Sequence, residues 1–482
     1  MSSPSLYADE KGVRTLFWRT TVSPSEKRVL TPFSLPVPAD ARRTLAAGWL
    51  ALALAALIGS GLFSILLVLS RAPYVKDLFP LVDFFKVALV VHVDLSVLVW
   101  FAAFGGLLWS LHGTPRLLVT GWAALALCAA GTLVMAAAPF VQAAAPVMSN
   151  YVPVLDGEVF IFGLLVFALG CVFLVVRAMA AAPRIGVRPD GAGALGFGLN
   201  TAAVSAGVAL IAFAWSWLVL PAGLDGKAYY EVLFWGGGHV LQFTWTLLMF
   251  VAWLWLADAL GARAALSPRI AMLLFGVGLV SVFATPVIYL AYDVTSVEHY
   301  RLQTWLMRIG GGLAIAPFAA ATLYALVAAP RPAPEQRPLR AALAWSIVLF
   351  GAGGLIGLMI SGSNVRIPAH YHGAIVGITL AFMGLAYHLL PRMGYGRPHV
   401  RLATLQPALY GAGQLAHVAG LVWSGGYGVQ RKVAGAEQVL RGFEQVAAMG
   451  LMGLGGLAAV AGGLLFIVIV CKALWTSSGS RS

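Results

Sequence analysis

The sequence predicts an all-α membrane protein, a one-domain bundle of twelve transmembrane helices with both termini in the cytoplasm. Three observations lead there: an apolar composition, apolar runs of one length, and an uneven spread of positive charge. The 482 residues are 60% hydrophobic and 10% charged, with a mean hydropathy of +0.87. A soluble domain carries about 25% charged residues.

The apolar residues fall into twelve runs at about 45–69, 85–111, 117–138, 157–179, 194–220, 229–258, 270–292, 300–327, 339–361, 367–391, 405–423 and 445–471. Each is about 20 residues or more, enough to cross a hydrocarbon core of about 30 Å. Backbone in lipid must satisfy its own hydrogen bonds, so each run is expected as a helix. The linkers are short, which makes residues 45–471 one transmembrane domain. Many glycines and alanines suit close helix contact.

The net charge of +13 raises nucleic acid as a partner, and its distribution argues against it. With the N-terminus inside, 21 of the 31 Lys and Arg residues lie on inner segments and about eight on outer loops. Positive residues mark the side that is not translocated. The charge is therefore a record of topology in a multi-pass protein of a bacterial inner membrane, in contact with lipid and not with nucleic acid.

Residues 1–44 are polar, contain Pro4, Pro24, Pro32, Pro36 and Pro38, and lack the apolar stretch of a cleaved signal peptide. They read as a cytoplasmic tail, as do residues 472–482. Cys128, Cys171 and Cys471 lie inside spans and form no CxxC or CxxCH motif, so neither a disulfide framework nor covalent haem attachment is expected.

Polar residues within spans are costly and ask for a reason. Of nine histidines, five share one depth. His92 is about eight residues into span 2 and His239 about ten into span 6. His370 and His372 are about four to six residues into span 10, and His299 stands just before span 8. At 1.5 Å per residue all five fall within about 15 Å of the outer face. Neutral imidazole is a common ligand of iron, copper and zinc, and bundle cores are where such centres are built. His388 and His417 lie deeper and read as structural.

Span 10 contains PAHYHGAIVG. Positions i and i+2 on a helix are about 200° apart. His370 and His372 thus point to opposite sides and can each hold a different cofactor. Span 6 contains FWGGGHVLQFTW, which puts His239, Gln242 and Phe243 on one face. Gly236, Gly237 and Gly238 leave space for something large to approach that backbone. After span 7, Glu298 and His299 are adjacent and available to a metal held by His239.

These motifs resemble the catalytic subunit I of the haem–copper oxidase superfamily, which includes oxygen reductases and nitric oxide reductases. The resemblance covers the whole bundle. PAHYHGAIVG is similar to the family's His-x-His signature, HVDLSVLVW to its span-2 segment, NYVPVLDGEVF to a segment before span 4, and YGVQRKVAG to an outer loop with paired basic residues. It implies His92 and His372 on a low-spin haem, His370 on a high-spin haem, both haems of b type, and a non-haem metal on His239 and His299. Arg431 and Lys432 would meet haem propionates. A calcium ion is a further cofactor the family pattern allows. With no cupredoxin or cytochrome c domain fused, an electron-transfer subunit of one of those kinds is expected on the outer face.

Two departures set the subclass. Many oxygen reductases carry tyrosine four residues after the span-6 histidine, and this chain has Phe243. The family's adjacent histidine pair reads here as Glu298–His299. With Gln242, that offers oxygen donors, which favour a harder metal, so iron fits better than copper. Both departures resemble the nitric oxide reductase branch, and the eNOR type in particular, which reduces two NO to N2O and water. His239, His299, Glu298 and Gln242 are then the expected catalytic set. Asp94, Asp156, Glu158, Glu231 and Asp293 lie towards the outer side and suggest proton uptake from there. The competing reading is an oxygen reductase, in which Tyr289 or Tyr292 supplies the missing phenol.

Overall fold

The computed structural model describes residues 32–69, 71–72, 82–184, 186–262, 266–360, 364–431 and 439–476. Lys432, residues 1–31 of the expected N-terminal tail and residues 477–482 lie outside them. The chain forms α1 (Ala41–Leu69), α2 (Val82–Val93), α3 (Trp100–His112), α4 (Leu118–Val141), α5 (Glu158–Ala180), α6 (Gly191–Val219), α7 (Gly226–Ala259) and α8 (Pro268–Val282). It continues with α9 (Ala284–Ala291), α10 (Val297–Trp305), α11 (Gly311–Ala328), α12 (Arg337–Leu358), α13 (Arg366–Leu389), α14 (Val400–Gly426) and α15 (Phe443–Trp475).

Local chemistry places the helix starts. Asp190 accepts a hydrogen bond from the Gly193 amide at 2.7 Å and begins α6. Ser267 caps α8, with Pro268 at its first position. Ser296 accepts from the His299 amide at 3.1 Å and begins α10. Such caps satisfy amides that have no partner within the helix. The last one also fixes where His299 stands.

Two stretches wind as π-helix, Asp94–Val99 between α2 and α3 and Leu306–Gly310 between α10 and α11. One follows His92 by two residues, and the other follows the helix that carries His299. Local π-turns of this kind are frequent at functional sites.

Eleven helices among the described residues are long and apolar enough to cross a membrane. The twelfth expected span lies in α14, which has 27 residues but is not among those eleven. Its buried Gln406, His417 and Ser424 lower its apolar character. The described spans are all helical, and one loop holds a short pairing. Ala145–Val147 and Val154–Asp156 pair as a short antiparallel hairpin, with Ala145 opposite Asp156 and Val147 opposite Val154. This segment lies between two spans, where backbone pairs with a neighbouring strand in place of forming a helix.

Close helix contact sets the frame around α13, which packs on α7, α12 and α14. Gly353 of α12 and Gly373 of α13 meet backbone to backbone. A Cβ on Gly353 would lie 2.3 Å from the Ala374 nitrogen. Small residues at crossings permit this approach, and dispersion and hydrogen bonding hold it. The half of α13 that follows its histidines is packed with aromatic rings. Phe104 stacks on Phe382 at 4.3 Å, Phe250 on Phe318 at 4.3 Å, and Trp253 donates from Nε1 to Ser346 Oγ at 2.7 Å. The other half opens into a cavity.

Candidate functional site

A cavity of about 1480 Å³ is lined by His92, His239, His370, His372 and His417, among largely aliphatic and aromatic neighbours. Small-molecule pockets span about 300–1,000 Å³, so this one has room beyond a single compact ligand. The sequence placed four of these five histidines in one layer, and the structure gathers those four around one space.

Four imidazoles have the same internal arrangement. His92 Nδ1 lies 3.0 Å from the Ser60 carbonyl, and Ser60 Oγ is also at 3.0 Å. His239 Nδ1 is 2.7 Å from the Trp235 carbonyl, His370 Nδ1 is 2.7 Å from Gly353, and His417 Nδ1 is 2.9 Å from Met452. A carbonyl only accepts, so each Nδ1 donates and the lone pair is left on Nε2. A second partner of this kind sets the tautomer and ring direction of a metal-binding histidine. Gly357 makes room for one ring, since a Cβ there would meet His370 Nδ1 at 2.8 Å.

The two histidines of α13 have different neighbours. His370 turns to α12 through Gly353, while His372 lies against His417 of α14, with ring centroids 4.7 Å apart. This is the opposition that the i, i+2 spacing predicts. Gln414 also sits beside His372. Its Oε1 is buried with no hydrogen-bond partner among the described residues, an acceptor suited to a His372 ring N–H. His417 is not the remote structural residue expected, because α14 runs beside α13 and brings it to the cavity wall. Arg71 also lines the cavity; it stands beyond the end of α1, where no sequence pattern singles it out. His388 has Arg392 at 3.2 Å from its Nδ1 and Trp255 beside it.

At the other end, His239 is buried on α7 beside His299. Its Nε2 accepts from the Tyr151 hydroxyl at 2.9 Å. Burial pushes that phenol well above the usual tyrosine range, so it is a donor at neutral pH. The three glycines before His239 admit aromatic rings. A Cβ on Gly236 would strike Tyr289, on Gly237 Phe213, and on Gly238 Tyr151, the last at 2.2 Å from Cγ. Tyr151 was missed because its partner is distant in sequence and its loop has no helical period. The NYVP segment and the glycine triad were the available signals.

His299 is buried against Tyr289 at a ring distance of 4.7 Å, and its Nδ1 has no hydrogen-bond partner among the described residues. Gln303, one turn on, is fully buried with an unpartnered Nε2. Gln242 and Phe243 line the cavity. Glu298 is exposed at the start of α10, and the structure does not gather its carboxylate with His239 and His299. Among the described residues no three or more His, Cys, Asp or Glu side chains come together as a metal-holding group. The Tyr289 hydroxyl bonds Ser216 Oγ at 2.7 Å and the Ala212 carbonyl at 3.2 Å, on α6, and Tyr292 is largely exposed.

Arg431 lines the cavity and donates to Asn150 Oδ1 and to Tyr371 Oη, each at 3.3 Å. Asn150 in turn donates to Glu231. Asp156 accepts from Tyr230 at 2.8 Å. Arg431 thus stands beside Tyr371, the residue between His370 and His372.

The donors fit haem and metal. Imidazoles with prepared Nε2 atoms face a large cavity, arginines stand at its wall, and buried Gln414 Oε1 and His299 Nδ1 lack partners. The model of the cytochrome c and quinol oxidase polypeptide I family matches residues 44–457. The chain belongs to that family, the subunit I of haem–copper oxidases. It is an oxidoreductase family of multi-pass membrane proteins that bind haems and a second metal, act on gaseous substrates and use electron-transfer partners. An uncharacterized protein of Rickettsia prowazekii (strain Madrid E) is 28% identical over 91% of this chain and 97% of its own length. One from Aquifex aeolicus (strain VF5) is 27% identical over 72% and 85%. A solved heme-copper terminal oxidase dimer matches with a TM-score of 0.70 at 17% identity, covering 92% of this chain and 86% of that one. At that identity it speaks for the fold.

Proposed function

We propose that this subunit I is the catalytic subunit of a nitric oxide reductase in a bacterial inner membrane, converting two NO, two electrons and two protons to N2O and water. The observation that carries the reading is Phe243. It lies on the cavity wall one turn after His239 and has no hydroxyl to give, and NO reduction has no O–O bond to break. Tyr289, the alternative phenol, has its hydroxyl engaged on α6.

His92 and His372 hold the low-spin haem, His370 the high-spin haem, and His239 with His299 the non-haem metal. When bound, these groups supply electron transfer and two metal sites for the gas. The chain's own part is to orient and exclude. Gly353, Trp235 and Ser60 fix the imidazoles. On α13 only Tyr371 lies between His370 and His372, so one helix would hold both haem ligands. Arg431 neutralises propionates, and Lys432 completes the pair. Aliphatic and aromatic walls keep water from the gas. The amide of Gln242 is an oxygen donor on the cavity wall, and oxygen donors favour iron over copper. Electrons come from a cupredoxin-like or cytochrome c-like partner on the outer face, and protons from the same side, where Glu158 opens α5, Glu231 lies near the start of α7 and Glu298 near the start of α10.

Oxygen reduction is the second reading. It is favoured by the Tyr151 phenol, which contacts His239 from a different segment. NO and O2 consumption by the purified holoenzyme with one reduced donor separates the two. Faster NO turnover with N2O as product is expected. Sole consumption of O2 would reverse the assignment.

A further inference from the structure

Tyr151 is held where few loop residues are. Its hydroxyl lies 2.9 Å from His239 Nε2, and its ring stands 4.7 Å from the imidazole and 5.7 Å from Trp235. Gly238 leaves the hole that the ring fills. The segment is fastened on both sides, by the Ala145–Val147 and Val154–Asp156 hairpin and by a Ser149 hydroxyl bond to the Val152 carbonyl. Asn150, the preceding residue, is tied to Glu231 and Arg431. Tyr151 also lines the cavity.

The Trp235 carbonyl commits His239 Nδ1 as a donor, so Nε2 is the nitrogen left for a metal. The hydroxyl of Tyr151 stands in front of that nitrogen. A metal on Nε2 must take the place the hydroxyl fills. The ring is boxed between α7 and the hairpin, so the oxygen has only a short retreat. Glu298 is exposed, and its carboxylate is not grouped with His239 and His299.

We propose that Tyr151 is an oxygen ligand of the non-haem metal, in the role the sequence assigned to Glu298. This rests on the reading of His239 as a metal ligand. The donor set becomes two imidazoles and a tyrosine oxygen. An oxygen donor of this kind favours a harder ion, which agrees with iron. It also gives the hairpin a purpose, because the two strands carry one residue to the metal.

The test is metal binding by the full-length, haem-loaded protein. Wild type and Tyr151→Phe are stripped of non-haem metal with a chelator and titrated with Fe(II), and electron paramagnetic resonance (EPR) of the oxidised non-haem iron is recorded. Phe keeps the ring in the Gly238 hole and removes only the oxygen. Fe(II) affinity should fall about 10-fold or more with an altered non-haem iron signal, while both haem absorption spectra stay as in wild type. Equal affinity and an identical signal would overturn the proposal. Should Tyr151→Phe also disturb the haems, Tyr151→His decides: a ring with a donor that recovers Fe(II) binding supports ligation, and one that does not refutes it. His239→Ala is the control for the underlying site. If that variant also keeps its iron, the placement of the metal on His239 fails; if only Tyr151→Phe keeps it, the tyrosine alone is excluded.

Discussion

At one end of the cavity His92, His372 and His417 come from three helices; main-chain carbonyls hold His92 and His417, and the buried Gln414 amide lies beside His372. At the other end His239 and His299 depend on a helix cap and on a loop residue, Tyr151, from a separate hairpin. The first end is a product of helix packing alone. The second also needs a short segment to fold back onto the bundle. Damage should therefore spread differently: along helices at the first end, and locally at the second.

The sharpest way to break this comparison is to remove the two histidines of α13 in turn. His370→Ala should lose the CO-responsive haem and all turnover while the low-spin spectrum persists. His372→Ala should do the reverse, losing the low-spin haem first. Optical spectra of the reduced proteins with and without CO check both. If each variant loses both haems alike, the two faces of α13 are not independent.

Next in size is the amide behind His372. Gln414→Leu removes the buried acceptor for a His372 ring N–H, and a lost outer partner of this kind costs about 10–100-fold in metal-site affinity or activity. A less electron-rich imidazole should raise the midpoint potential of the low-spin haem and leave non-haem metal content alone. Potentiometry with metal analysis reads both. A change in non-haem metal without a change in potential would place Gln414 at the wrong end.

Gly353→Ala drives a methyl into the α13 backbone. Overpacking costs about 1–3 kcal/mol, so thermal unfolding in detergent should come earlier, with weakened haem binding at His370 and normal binding at His372. Unchanged stability would mean that the α12–α13 contact is looser than described. The smallest effect is expected from Ser296→Ala. Loss of a helix cap costs about 1 kcal/mol. Here it should loosen α10 at His299, so that non-haem metal is lost more readily while both haem spectra remain intact. Wild-type metal retention would show that His299 does not depend on its cap.

The difference between the ends also explains what the sequence could reveal. Apolar run length and the spacing of His92, His239, His370 and His372 follow helical rules, and those rules act within one element. They gave the spans, the shared layer and the opposed faces of α13. Tyr151, Gln414 and His417 matter through contacts between elements, and no period marks them. The glycine triad before His239 did signal a close approach. That the approaching groups are Phe213, Tyr289 and Tyr151 is a matter of tertiary packing. Glu298 was singled out by its neighbour in sequence. Adjacent residues on a helix point about 100° apart, and here one of the pair is buried while the other meets the surface. The hairpin was missed because two three-residue strands are too short for a periodic signal.

The most direct measurement is a haem and CO titration of the purified, reduced protein, counting total haem and the fraction that binds CO. Two haems per chain, one shifting with CO and one unresponsive, are expected if His370 stands alone on its iron while His92 and His372 share another. A colourless protein, or haem that is wholly unresponsive to CO, would contradict that arrangement of imidazoles.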